Sequence, residues 1–149
     1  MSNDLTALYE ALAEVVRGSV ERSWPLTRFT TYRLGGPAEI YVEPAGLEDL
    51  IGLSTQLRAL DPSGDIPVLV LGRGSNLVIS DAGWPGVALR LGQPFAGLHI
   101  REDDPSSFDV GAGKPLPLVA NWSARRALAG MEWAVGVPGS IGGAVRMNA

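Results

Sequence analysis

V-L-V-L-G-R-G-S-N-L-V-I-S-D, residues 68–81, opens as an apolar strand, breaks at Gly72-Arg73-Gly74-Ser75-Asn76, and resumes as an expected second strand over Leu77, Val78 and Ile79. Two glycines around one arginine admit φ > 0 and leave successive amides without side-chain cover, so those amides can converge on an anion. The same letters also describe an ordinary strand-loop-strand turn, because glycine followed by Ser-Asn is turn chemistry. Two familiar phosphate loops are excluded. A Walker loop requires G-x-x-x-x-G-K-[ST], and the one lysine of the chain is Lys114. A Rossmann fingerprint requires glycine at its third position, which here is Leu77. No helix is expected directly after the loop, since Leu77-Val78-Ile79 is short and β-branched.

Working outward, 149 residues with 46% hydrophobic and 19% charged content suit one core of domain size and argue against disorder. The net charge of −4 argues against nonspecific nucleic-acid binding, which needs a basic face to release counterions. The absence of cysteine excludes disulfides, thiolate catalysis and iron–sulfur clusters. The N-terminus M-S-N-D-L-T-A-L-Y-E carries acid where a signal peptide carries base, and no apolar run reaches the roughly 20 residues of a membrane span. A cytoplasmic protein without membrane contact is expected.

Before the loop, Asn3 or Asp4 is placed to cap a helix with Leu5, Leu8, Leu12, Val15 and Val16 on one face, ended by Gly18. A linker is expected through Pro25, then T-T-Y-R-L-G-G-P leads into a half-buried strand over Ala38 to Pro44, with Ile40 and Val42 inward. A second helix has Leu47, Leu50, Ile51, Leu57 and Leu60 as its apolar side, with Glu48 and Asp49 in the first turn, where the dipole favours acid. Asp61-Pro62-Ser63-Gly64 stops it. After the loop, Gly83-Trp84-Pro85-Gly86 reads as a turn and Val87 to Leu91, Leu98 to Arg101 and Phe108 to Val110 as short strands. A third helix is expected from Leu116 through Leu128 to Gly130.

The chain closes with a second glycine-rich loop: Gly136, Gly139, Gly142 and Gly143 fall within eight residues, an arrangement costly unless something approaches that backbone closely. If it ends at a helix N-terminus, it adds a second set of free amides, and together the two loops suit a diphosphate with an adjoining ring system. A dinucleotide is the economical ligand. His99, the single histidine, lies in an expected strand and reads as a surface or packed residue. Trp84, Trp122 and Trp133 read as packing, and Glu132 as a solvated or capping acid.

T-T-Y-R-L-G-G-P-A-E at 30–39, L-G-R-G-S-N-L-V-I-S-D at 71–81, V-G-A-G at 110–113 and G-M-E-W-A-V-G-V-P-G-S-I-G-G-A-V-R-M-N-A at 130–149 together resemble the FAD-binding part of the UDP-N-acetylenolpyruvoylglucosamine reductase family. The resemblance implies an α+β fold of the vanillyl-alcohol-oxidase and p-cresol-methylhydroxylase (PCMH) type, two α+β lobes with non-covalent FAD between them. By position it divides the chain into an N-terminal helix and linker (1–24), a first FAD-binding lobe (25–92) and a second (93–149), incomplete at its C-terminus and without the substrate-binding domain. Gly72, Arg73, Gly74, Ser75 and Asn76 are implied to hold the FAD pyrophosphate. Pro138, Gly139, Ser140, Gly142 and Gly143 would face the diphosphate and flavin, with Asn148 and Ala149 close by. Arg73 reads equally as a phosphate partner and as a solvated arginine.

The implied reaction belongs to peptidoglycan synthesis: NADPH as co-substrate reduces FAD, and hydride passes to the enolpyruvyl double bond of the UDP-sugar to give UDP-N-acetylmuramate. The family's proton-donating serine, its Tyr-Arg pair and its active-site glutamate are expected beyond Ala149. No residue here is assigned a catalytic role, no metal site is expected, and this polypeptide alone is expected to be inactive. Two alternatives stay open: a non-catalytic or vestigial FAD-binding protein, and a flavin oxidase of the same superfamily.

Overall fold

The computed structural model describes residues 2–149, with side chains from Leu5 onward. Helix α1 (Ser2–Val15) presents Leu8 and Leu12, with Val16 one turn further on, and all three are buried. This is the i, i+4 recurrence of a single helix face. The capping expected of Asn3 or Asp4 lies outside the described side chains.

The segment expected as a linker is a strand, β1 (Ser19–Pro25), antiparallel to β2 (Pro37–Glu43) with Ser19 opposite Glu43 and Trp24 opposite Ala38. None of its side chains is fully buried, so S-V-E-R-S-W-P shows no apolar alternation, and its pairing with β2 alone defines it. Strands β3 (Val68–Leu71) and β4 (Trp84–Arg90) run parallel and complete a four-stranded sheet in the order β1-β2-β4-β3. The turn expected at Gly83-Trp84-Pro85-Gly86 is shifted. It closes from the Gly83 amide to the Ser80 carbonyl (2.9 Å), and Trp84 already belongs to β4. The register slips between Ala38↔Trp84 and Ile40↔Val87, and this bulge accommodates Pro85 inside a paired strand.

β2 is buried on both faces, so the half-buried reading is corrected. Ile40 and Val42 meet α1, α2 (Leu47–Leu60) and Val87, whereas Tyr41 is only 2% exposed on the other side, with Leu26, Leu71, Ile79 and Ala88. Each large apolar side chain so buried contributes about 1.5–3 kcal/mol. In α2 the buried face is rotated from the expected one: Leu53 is buried and Leu50 and Leu57 pack beside it, while Leu47, Ile51 and Leu60 are exposed. Asp49 does more than complement a dipole. Its buried carboxylate accepts the amides of Ala45 (2.7 Å), Gly18 (3.0 Å) and Arg17 (3.1 Å), tying the start of α2 to the end of α1. Burial pushes this carboxyl upward, but the three amides together outweigh it and hold it below its ordinary 3.8.

Leu77 to Ile79 is not a strand. β3 is the sheet edge, and the chain turns back from it so that the Gly36 amide reaches the Ser80 carbonyl (2.8 Å) and Ile79 plugs the second core cluster. As expected, no helix follows the loop.

The remaining residues form a smaller unit. Strands β5 (Leu98–Ile100) and β6 (Phe108–Val110) make an antiparallel hairpin, and α3 (Leu116–Ala124) and α4 (Ile141–Met147) pack around Leu116, Ala120 and Ala134. α3 stops short of Leu128 because the amides of Arg126 and Leu128 both turn back to the Ser123 carbonyl, with Ala127 at φ +56. Among the described residues, no helix is long and apolar enough to cross a membrane, and no cluster of three or more potential metal ligands occurs.

Candidate functional site

The two glycine-rich loops meet in a cleft of about 750 Å³, within the usual range for cofactor pockets. The first leaves the end of β3. Leu71 is buried in the sheet opposite Arg90 in the parallel register, so the chain that follows starts from a fixed point. Gly74 adopts φ +63 and rests on the backbone of the preceding 3₁₀ turn (Leu26–Phe29), where an added Cβ would lie 1.6 Å from the Phe29 carbonyl oxygen. Only glycine suits that conformation and that approach together. The Thr31 amide and hydroxyl both donate to the Gly74 carbonyl (3.4 Å), holding it from the outside.

The second loop crosses in front of the first. Ser75 Oγ donates to the Pro138 carbonyl. Ser140 Oγ packs against Gly72, where an added Cβ would lie 2.5 Å away. Ser140 is buried, caps α4 by accepting the Gly143 amide (3.3 Å), and pairs with Pro115 in an isolated antiparallel bridge. Gly142 packs on the small corner at Ala112, to whose carbonyl its amide donates (2.8 Å).

Gly72, Arg73, Gly74, Ser75 and Asn76 all line the cleft, as do Pro138, Gly139, Ser140, Gly142, Gly143 and Ala149. Asn148 does not. It is the left-handed C-cap of α4 (φ 53), and its amide turns back to Ala144 and Val145. The expected set of free amides at the α4 N-terminus is also corrected. Ile141 donates to Lys114 (2.9 Å), Gly142 to Ala112, Gly143 to Ser140 Oγ and Ala144 to the Ser140 carbonyl (2.9 Å). Among the described residues, the lining amides for which no intramolecular acceptor is found include those of residues 72–77 in the first loop and of Gly139 and Ser140 in the second. The anion cradle is therefore mostly the first loop.

The lining's charge agrees with this. Its charged side chains are those of Arg73 and Arg146, with no Asp or Glu, although the chain carries −4 overall. The rest of the wall is apolar: Val68 to Leu71, Leu77 and Leu91 on one side, Val137, Ala144 and Met147 on the other. Arg146 and Met147 stood in the quoted block at 130–149, and Val68 to Leu71 in the opening stretch, but none was assigned to the site because none carries a glycine signature. Ala112 and Gly113 stood in a quoted motif without being assigned to the site.

His99 is exposed on β5 and away from the cleft. Trp84 packs in the second core cluster, and its Nε1 donates to the Pro67 carbonyl (3.1 Å). Trp122 meets Phe108 edge-on (5.3 Å) beneath the Arg126 guanidinium (4.2 Å). Trp133 departs from the packing expectation: it is 53% exposed. Glu132 accepts the Gly130 amide (2.9 Å), as a capping acid does.

The family described as "FAD binding domain" matches residues 38–149, well over half of the chain and both loops. The chain belongs to this family. The chain of this FAD binding domain protein is 43% identical over 136 residues to the UDP-N-acetylenolpyruvoylglucosamine reductase of Erythrobacter litoralis, covering 91% of this chain and 40% of that protein. It is 42% identical over 145 residues to UDP-N-acetylenolpyruvoylglucosamine reductase 1 of Bacillus cereus, covering 95% and 45%. Among solved structures, the UDP-N-acetylenolpyruvylglucosamine reductase of Thermus caldophilus superposes with a TM-score of 0.60 at 36% identity, covering 89% of this chain and 43% of that one. The chain thus spans less than half the length of the relatives it matches. The α+β fold of PCMH type implied by the sequence resemblance is the fold found.

Proposed function

We propose that this chain holds FAD non-covalently in the cleft between its two loops, with the pyrophosphate on the amides of residues 73–76 and beside Arg73. The observation that carries this reading is the cleft's make-up: a row of amides without intramolecular acceptors, two arginines, no lining Asp or Glu, and an apolar wall beside them. The donor set fits a diphosphate, and bound FAD would supply hydride chemistry there. Gly139 and Ser140 complete the anion site.

In this reading the chain is the FAD-binding portion, lobes 25–92 and 93–149, of a cytoplasmic UDP-N-acetylenolpyruvoylglucosamine reductase. That enzyme uses NADPH to form UDP-N-acetylmuramate for peptidoglycan. The 36–43% identities to reductases so named support it. Neither cleft serine serves as the acid, since Ser75 Oγ is engaged with Pro138 and Ser140 Oγ caps α4. The test is to mix the purified chain with FAD, desalt it and record the visible spectrum. Retained, perturbed flavin bands are expected; a colourless protein that also fails to quench flavin fluorescence overturns the reading.

A further inference from the structure

Behind the first loop lies a polar cluster none of whose residues lines the cleft. The buried Tyr41 hydroxyl donates to Glu43 Oε2 (2.6 Å), and Arg90 Nη1 donates to both Glu43 oxygens (3.0 and 2.9 Å). Burial pushes the Tyr41 hydroxyl far above the usual tyrosine range, with Glu43 adding to the shift, so the phenol stays protonated and donating. The Arg90 guanidinium in turn lies 4.9 Å over the Phe29 ring. Phe29 stacks on Tyr41 (5.5 Å, 3°), and Tyr41 stacks on Trp24 (5.5 Å, 20°).

Two arms lead from this cluster to the two sides of the cleft. Through Phe29 it fixes the carbonyl on which Gly74 rests. Through Gly92, whose added Cβ would lie 2.4 Å from Glu43 Oε1, it fixes the chain where it leaves β4. That chain continues to Phe95, whose carbonyl accepts the Gly113 amide (2.9 Å), and the adjacent Ala112 carbonyl accepts the Gly142 amide. Arg90 also pairs in register with Leu71, the last residue before the loop.

We infer that Tyr41, Glu43 and Arg90 form a positioning unit that sets the spacing between the two loops, and so tunes affinity for a flavin dinucleotide without touching it. The inference rests on the FAD reading for its ligand, but not for its mechanics. A half-buried ion pair with both carboxylate oxygens engaged is suited to this work, because losing one partner leaves the other seeking a new arrangement.

The experiment uses the full chain and three variants: E43Q, which keeps shape and removes charge, R90K, which keeps charge and removes the planar group over Phe29, and Y41F. In the ligand-free protein, NMR order parameters at residues 73–76 are expected to fall in E43Q from rigid values near ~0.85 to below ~0.6, with those of β2 and α1 unchanged. FAD, titrated by fluorescence quenching, is expected to bind E43Q about tenfold more weakly, R90K several-fold more weakly and Y41F at most about threefold more weakly, because E43Q removes the charge to which all three hydrogen bonds of the cluster run, whereas Y41F removes one of those bonds and leaves the Arg90–Glu43 pair. Wild-type loop order and FAD affinity in E43Q would overturn the inference, as would loss of order spread evenly through the sheet. If E43Q does not fold, R90K decides by the same two readouts. A wild-type chain that takes up no FAD removes the FAD reading, and the order parameters then decide the positioning unit alone.

Discussion

Replacing Gly74 by alanine isolates what holds the first loop in place. At φ +63 the residue is left-handed, a conformation that costs an ordinary residue about 1–2 kcal/mol. The new methyl would also lie 1.6 Å from the Phe29 carbonyl oxygen and 3.2 Å from Thr30 Cα. Neither neighbour is a side chain that can rotate away, so the two backbone segments must part by more than an ångström, at a typical overpacking cost of about 1–3 kcal/mol. Together the substitution should destabilise by about 2–5 kcal/mol. Gly64 supplies the control: at φ +76 it has the same left-handed strain, but nothing lies within 4 Å of an added Cβ. Urea unfolding of G74A and G64A should therefore differ by the steric part alone, about 1–3 kcal/mol. FAD affinity should fall at least about tenfold in G74A, about 1.4 kcal/mol or more of lost binding, and remain at the wild-type level in G64A. Equal destabilisation of the two variants would refute the claim that Gly74 is seated on Phe29. A G74A protein binding FAD like the wild type would refute the claim that this seating shapes the anion cradle.

Ser75→Ala removes the hydroxyl that donates to Pro138 across the cleft, a bond worth about 0.5–1.5 kcal/mol, so FAD should bind about three- to tenfold more weakly with little change in unfolding midpoint. Arg73→Gln should weaken FAD binding by less than about tenfold and flatten its salt dependence, because the amides of residues 73–76 remain; complete loss of binding would make the guanidinium, not the backbone, the main anion partner. Asp49 is held below its ordinary 3.8, so its contribution to stability is full above that value and is lost as pH falls through the lower folded value. Asp49→Asn should cost about 1–2 kcal/mol at neutral pH and make urea stability less dependent on pH below its ordinary 3.8. An unchanged acid slope would remove Asp49 from the origin of that dependence.

The sequence made the loops legible because backbone constraint is written in residue type: Gly72 and Gly74 leave a turn and an anion cradle as readings, and the second run from Gly136 to Gly143 favours the cradle. It was least informative where tertiary partners decide. β1 pairs only through β2 and buries no side chain fully, so its letters look like a linker. In α2, the leucines at 47, 50, 53, 57 and 60 with Ile51 offer two overlapping faces, and α1 selects the one containing Leu53. Leu77-Val78-Ile79 has strand chemistry but no neighbour to pair with, and Ile79 is spent on the core instead. The amides of Ile141 and Gly142 look free until the corner at 112–114 is folded beside them. The aromatic stack of Trp24, Tyr41 and Phe29 beneath the first loop joins residues from three separate segments, and no local pattern announces it.

The two halves of the cleft are unequally supported, and this bears on what a ligand there does. The first loop leaves a sheet with well-filled clusters on both faces. The second belongs to a unit whose buried apolar residues are Leu116, Val119, Ala120 and Ala134, while Leu118, Val135, Val145 and Met147 remain exposed. Across the cleft the loops meet through the Ser75–Pro138 hydrogen bond and the packing of Ser140 on Gly72. A diphosphate spanning the amides of residues 73–76 and those of Gly139 and Ser140 adds contacts to both sides at once. Because such a ligand binds only the arrangement in which the loops are docked, its binding and their docking are linked, and each strengthens the other. On the FAD reading, the smaller unit, with less core of its own, would be the part whose docking depends more on the ligand.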